Sequence, residues 1–324
     1  MLRFVLLLSL LAIVLPGCAA GPPPAPAPLI QPGAGPDAAA QSFARRCALP
    51  GVVLCVDFDS PDQIPDLSPS TVSSRGGRGL MGRIKNNAGD LLPELDCGTA
   101  VNGCALKFVV PSRSGAGASG AWFANFSDDF SVRFGEGEEF YVQWRQRFSR
   151  DFLNAYQSGV GWKQVIIGEG DRPNYAPNGK VVWSCTQMEV VIQNTYFRGF
   201  PRMHHSCGGK DGRYDELPVD SAVDYEPDQW MTFQVRVKIG TWYKNDRNYN
   251  YDSELELWVG PEGERSHRAI WIEDYDLANN DPDAKYGKLW LLTYNTGKDS
   301  GVEHPPGETW YDELIVSRAP IPDP

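Results

Sequence analysis

The chain holds only four histidines in 324 residues, and two of them, His204 and His205, adjoin between Cys185 and Cys207. Histidine is the side chain whose unperturbed pKa suits a general base near neutrality. If Cys185 and Cys207 are cross-strand partners, the hairpin turns at Tyr196, Gln187 faces His205 and Glu189 faces Met203. Gln187, Glu189 and His205 then share one sheet face, while Met188, Val190 and Ile192 share the apolar one. A one-residue slip would exchange the two faces. Period-two alternation likewise puts Gln143, Arg145 and Arg147 on the polar side of one strand and Tyr294 at the end of another. Together these groups match the needs of β-elimination from a uronate: a cation or amide against the carboxylate, a base, and an acid for the leaving oxygen. His205 is the expected base and Tyr294 the expected acid. Arg145 and Gln187 are expected to neutralise the carboxylate, with Gln143, Arg147, Gln164 and Glu189 as further substrate contacts. The plain alternative is a solvated sheet face with an Arg145 and Glu189 ion pair, and with His204 packed near the disulfide.

Aromatic residues support a second function. Trp230 and Trp258 fall on polar strand faces, where indole rings can stack on sugars without any reaction. Trp122, Trp162 and Tyr175 sit in or near glycine-rich segments, but most of the ten tryptophans must be core. A surface lipoprotein without a glycan ligand is the third reading. No cofactor is required by any of these. Structural calcium is a candidate at Asp57, Asp59 and Asp312, because calcium favours oxygen clusters and terminal strands often pair. The loop at 273–287 holds Asp274, Asp276, Asp281 and Asp283, yet neither stretch matches an EF-hand loop, and solvated acidic turns are commoner.

The elements that must position these residues are strands. In Phe140 to Phe148, Phe140, Val142, Trp144 and Phe148 share one face and Tyr141, Gln143, Arg145 and Arg147 the other. Residues 230–239 repeat this, with Met231, Phe233, Val235, Val237 and Ile239 on the apolar side. Segments 254–259, 288–294 and 309–317 supply further strands, and helical periodicity is nearly absent. Antiparallel sheets covered on one face give this alternation, so the predicted fold is an all-β sandwich of two facing antiparallel sheets.

The ends place the domain. Arg3, an apolar run from Phe4 to Leu15 and the small-residue stretch to Cys18 form a signal peptide over 1–17, too short to span a membrane. Residues 18–42, rich in proline, alanine and glycine, read as a tether, and residues 43–324 as one domain. The formal charge is −11, and −12 once Arg3 leaves with the signal, which argues against nucleic-acid binding. Seven cysteines leave one over in an exported chain. With Cys18 set aside, the rest fall into close pairs: Cys47 with Cys55, Cys97 with Cys104, Cys185 with Cys207. Nearest-neighbour closure has the smallest entropic cost, and each bridge is expected to contribute roughly 2 to 3 kcal/mol. A zinc site is disfavoured, since no C-x-x-C occurs.

The sequence LPGC at residues 15–18 resembles a bacterial lipobox, which implies lipidation of Cys18. By the same analogy, Ala19 implies an outer-membrane lipoprotein facing the periplasm or cell surface, and a monomer is expected. The segments CVDFDS, ALKFVVPS, YVQWRQRFS, WMTFQVRVKIGT, ELELWVG and WYDELIVS together resemble the concanavalin A-like lectin/glucanase superfamily, over about residues 53–318. Within it the chain is most similar to bacterial jelly-roll polysaccharide lyases. The resemblance implies a disulfide-stapled jelly roll that engages polysaccharide on a concave sheet and cleaves an acidic one by β-elimination. A lectin-like binding module is the alternative. The E-x-D-x-x-E strand of glycoside hydrolases in the superfamily is missing. The lyase pattern of an arginine strand, a Q-x-H strand and a tyrosine strand is matched loosely, since KQVIIGEG has the glutamine but no histidine after it.

Overall fold

The structure is a computed structural model that describes residues 36–67, 81–85, 90–154, 161–169, 189–194, 201–205, 223–242, 250–277, 285–295 and 297–324. Within these, the side chains of Pro36, Asp37, Ala38, Glu169, Glu189, Gln193, His204 and His205 are outside the description. In chain order the elements are α1 (Pro36–Cys47), β1 (Val52–Val56), β2 (Met81–Ile84), β3 (Glu94–Asp96), β4 (Ala105–Val110), β5 (Ala121–Asn125), β6 (Glu139–Phe148) and α2 (Arg150–Asn154). They continue with β7 (Trp162–Glu169), β8 (Glu189–Asn194), β9 (Pro201–His205), β10 (Trp230–Lys238), β11 (Ser253–Pro261), β12 (His267–Tyr275), β13 (Tyr286–Leu292) and β14 (Gly307–Ser317). Sheet A has the order β12-β11-β10-β6-β14-β4-β3, with β1 also paired to β14. Sheet B has the order β2-β5-β13-β7-β8-β9.

The alternation read from β6 and β10 sets the core. Phe140, Val142, Trp144, Phe148, Met231, Phe233, Val235 and Val237 all enter one cluster with Val165, Ile167, Val190, Ile192, Leu289 and Leu291 of sheet B. Trp144 and Phe233 stack there with centroids 5.3 Å apart. Losing either ring should cost about 3 to 5 kcal/mol. The interior is not purely apolar. A bulge between Lys163 and Val165 turns Gln164 inward, where its amide donates to Gln146 Oε1 at 3.0 Å and its Oε1 accepts from Tyr225 at 3.1 Å. Gln164 is fully buried between the sheets, so it is a structural hydrogen-bonding group and not the substrate contact its sequence position suggested.

Three segments lie across the outer face of sheet A. Helix α1 docks through Phe43 against Tyr141, Ile315 and Ile321, through the Cys47–Cys55 bridge, and through Arg46, which pairs with Glu313 and donates to Gln143 Oε1 at 2.6 Å. The loop closed by Cys97–Cys104 reaches Trp230 and Asp312 through the Thr99 carbonyl and the Val101 amide. The C-terminal segment accepts from Gln143 at the Ile321 and Pro322 carbonyls and donates from Ile321 to Gln234. The third expected bridge, Cys185 with Cys207, lies outside the described residues, as does Cys18.

Helix α1 departs from the tether expectation. Its sequence PDAAAQSFARRC combines proline at the first position, which lacks only an amide proton no helix would use, with three alanines, the best helix formers. Arg45 and Arg46 in the last turn face the negative end of the helix dipole. The alanine-rich stretch is therefore helical from residue 36 rather than extended to residue 42.

Candidate functional site

The expected site residues separate onto opposite sides of the sandwich. Gln143, Arg145, Arg147, Trp230 and Trp258 all lie on the outer face of sheet A, whereas Tyr294 continues β13 on the outer face of sheet B. Period-two alternation distinguishes inside from outside, but each sheet has its own outside. On sheet A these groups are already engaged. Arg145 pairs with Glu262 at 3.1 Å and lies over the Trp230 ring at 5.8 Å. Trp230 Nε1 donates to the Thr99 carbonyl, Arg147 lies over Trp310 at 5.6 Å, and Gln143 is fully buried under α1 and the C-terminal segment. Glu313 has a φ of +50° at a bulge that opens between Asp312 and Ile315, so two consecutive carboxylates face outward beneath the helix. Burial raises the Asp312 carboxyl well above the usual range, and the neighbouring Glu313 charge adds to it. Burial lowers the Arg46 guanidinium in spite of its partner Glu313.

The β8 and β9 hairpin also departs from the expected register. Val190 pairs with His205, Val191 with His204 and Ile192 with Met203, a shift of three from the pairing that opposed Glu189 to Met203. An odd shift exchanges faces. Position 205 therefore falls in the row of Val190, Ile192 and Met203, whose neighbours belong to the core. Position 204 falls in the outer row of Val191. Glu189 and His205 thus do not share a face, and Gln187 lies outside the described residues.

Asp57, Asp59 and Asp312 do come together. With Glu313 they wall a cavity of about 340 Å³ bounded on its other side by Phe43 and the Cys47–Cys55 bridge. Asp59 accepts from the Cys104 amide at 2.7 Å and Asp57 from Gln63 at 2.8 Å. Burial, joined by the Asp57 charge, raises Asp59. Among the described residues no three His, Cys, Asp or Glu side chains converge to hold a metal ion.

Sheet B carries the other polar surface. Following the pairing from strand to strand, Phe123, Trp290, Ile166, Val191 and His204 form one outer row. Phe123, Trp290, Ile166 and Val191 make a buried apolar floor, with Phe123 and Trp290 rings 5.5 Å apart. A polar row flanks it on each side. On one, Asn125 pairs with Lys288, then Gly168 and Glu189. On the other, the Lys163 amide donates to the Tyr294 carbonyl at 2.8 Å, and Lys163 pairs with Gln193 and Gln193 with Arg202. Lys163 Nζ stands 5.1 Å from the Tyr294 ring centroid and Lys288 Nζ 5.4 Å from that of Trp290. Lys163, Tyr294 and Arg202 are half-buried, so solvent reaches this row.

The wall beside Tyr294 is fastened in place. Ser119 hydrogen-bonds Thr293, Asn295 donates to the Ala116 carbonyl at 3.0 Å, and Lys298 Nζ donates to Ser114 O at 2.6 Å. Gly120, at φ +75°, ends this segment where a Cβ would stand 2.6 Å from the Ile84 carbonyl. Sequence reasoning missed Lys163 and Arg202, and also Lys288 and Asn125, which are buried beside the floor. A signal existed, because Lys288, Trp290 and Tyr294 share one parity in KLWLLTY, but both parities of that strand are rich in apolar side chains, which hid the outer row.

No family model and no curated protein matches the chain. Solved structures do. The PL-14 alginate lyase from Aplysia kurodai superposes with a TM-score of 0.52 at 9% identity, covering 82% of this chain and 98% of that one. The chain has a jelly-roll β-sandwich fold. Alginate lyase Aly36B matches with a TM-score of 0.47 at 14% identity over 83% of this chain and 98% of that one. Alginate lyase vAL-1 from Chlorella virus gives 0.46 at 12% identity over 70% and 90%. Identities this low speak for the jelly-roll architecture alone, so activity has to be argued from the site.

Proposed function

We propose that the outer face of sheet B binds an acidic polysaccharide and cleaves it by β-elimination. The observation that carries this is the row of Tyr294, Lys163 and Arg202 beside an aromatic floor, in a chain whose formal charge is −11. Concentrating cations on one face of an acidic protein draws a polyanion to that face and away from the rest. In the reaction Lys163, with Arg202, neutralises the uronate carboxylate and so stabilises the charge that develops when the C5 proton leaves. The electron pair forms the C4–C5 double bond, the C4–O bond breaks, and the leaving oxygen takes up a proton. Tyr294, beside Lys163, acts in its phenolate form: it takes the C5 proton and, as the phenol so formed, passes it to that oxygen, so neither water nor an oxidant is consumed. The naming of the Aplysia kurodai protein as an alginate lyase supports a uronate polymer as substrate.

Incubating the exported chain with alginate, polygalacturonate and glucuronan, and following ultraviolet absorbance of the unsaturated product, tests this directly. Product from one of them is expected. Binding without product from any would leave a lectin-like module, and neither binding nor product would overturn both. The same proposal extends to location: the LPGC sequence supports lipid attachment at Cys18. Metabolic labelling with palmitate should mark the full chain and fail with Cys18→Ser.

A further inference from the structure

The terminal strand of sheet A presents an aromatic platform that the proposed reaction does not use. The register of β11 with β12 shifts between Leu257 and Trp258, so that Leu257 pairs with Ile270 but Trp258 with Arg268. The extra residue, Ala269, is buried with Leu257 and Ile270. Arg268 and Trp271, three apart in sequence, therefore both face outward. Bulges at sheet edges commonly re-aim a side chain in this way. The Arg268 guanidinium lies 4.1 Å from the Trp271 ring centroid and 5.9 Å from that of Trp258. Trp258 is fixed in turn by its Nε1 donating to Glu256 Oε2 at 2.9 Å, and Glu256 also accepts from Arg236 at 2.9 Å.

The result is a stack with a rigid base and one open end. Trp271 is 37% exposed on the terminal strand of the sheet, whereas Trp122, Trp144, Trp230, Trp242, Trp290 and Trp310 are buried. Its ring is already held by the guanidinium beneath it, so a ligand laid on it would lose little side-chain freedom of the protein. The face of an aromatic ring is electron-rich and attracts the C–H face of a pyranose. Arg268 is already shared between the two indoles and Glu256, 3.9 Å away. The rim is acidic, since Glu273 and Asp274 follow on the strand and are exposed. Carboxylates accept sugar hydroxyls and repel a uronate.

We propose that Trp271 is a second glycan-binding site, which takes an uncharged polysaccharide with one pyranose ring on the indole and hydroxyl groups on Glu273. It shares no residue with the sheet B face, and the two ligands differ in charge. Native gel electrophoresis through hydroxyethyl cellulose, laminarin or galactomannan tests it, with alginate as a fourth gel. The intact chain should be retarded by at least one of the three uncharged polymers. Trp271→Ala should weaken that retardation at least tenfold, Trp271→Phe should keep part of it, and neither should change migration in alginate. Retardation by none of the three, or equal retardation of the alanine variant, would overturn the proposal. Because product formation is a separate measurement, failure of the elimination reading would leave this result interpretable.

Discussion

The two outer faces of the sandwich are both rich in polar and aromatic side chains, yet they are finished in opposite ways. On sheet A, Arg145, Gln143, Asp312 and Glu313 are buried beneath α1, the Cys97–Cys104 loop and the C-terminal segment, each with a partner: Glu262 for Arg145, the Ile321 carbonyl for Gln143, the Val101 amide for Asp312 and Arg46 for Glu313. On sheet B, Lys163, Tyr294 and Arg202 remain half-buried beside a hydrophobic floor. Polarity alone therefore does not mark a reactive face. What distinguishes the two is whether solvent reaches the polar groups.

Function should follow that distinction sharply. Tyr294→Phe removes a proton-transfer group, so turnover of a uronate polymer should fall by about a hundredfold to ten-thousandfold while binding persists. Arg147→Ala, on the opposite face, should leave turnover within experimental error. Steady-state rates of the two variants, compared with polymer affinity, read this out, and equal losses from both would erase the contrast between the faces. The second largest effect concerns stability. Arg46→Ala leaves Glu313 buried with only Arg145 near, at 4.0 Å. Removing one member of a buried pair should cost about 3 kcal/mol in urea unfolding, the low end of the usual range because Arg145 remains. Turnover by the folded fraction should be unchanged, and a variant as stable as the parent would mean that α1 does not seal this face.

Much of the sandwich was legible in the sequence because its signal is local. The alternation of β6 and β10 correctly divides core from surface, and short cysteine spacings gave the Cys47–Cys55 and Cys97–Cys104 bridges. The site was less legible because its assembly is not local. Arg145 and Tyr294 both fall on the outward parity of their strands, and nothing in either strand says which sheet it joins. Bulges add a second ambiguity. One inserted residue sends Gln164 into the core, another sends both Asp312 and Glu313 outward, and a third puts Arg268 beside Trp271. Helix α1 was hidden by a different cause. Its composition continues that of the preceding segment, and the contacts that fold it, Arg46 to Glu313 and Phe43 to Ile321, span most of the chain.

The smallest effect tests whether matched charge on sheet A contributes to stability at all. Glu254 is held below the usual carboxylate range, first by the hydrogen bond from Lys238 and then by Arg236. Asp312 is displaced in the opposite sense by burial. A carboxyl lowered in the folded state binds fewer protons there than in the unfolded chain. Its contribution is therefore complete above the unfolded value of about 4.3 and is lost as pH falls through the lowered one. For Asp312 the folded state holds its proton more tightly, so its contribution grows as pH falls from the raised value toward about 3.9. Whole-protein acid unfolding would mix the two, but a difference between variants isolates one. Lys238→Met should cost roughly 0.5 kcal/mol at neutral pH, as befits an exposed pair. The cost should vanish in acid once Glu254 is protonated in both proteins. Urea unfolding of the pair at neutral and acid pH measures it. A loss that is the same at both would show that Lys238 acts by packing its alkyl chain against the sheet, and that the exposed ladder, unlike the sealed network under α1, adds no electrostatic stability.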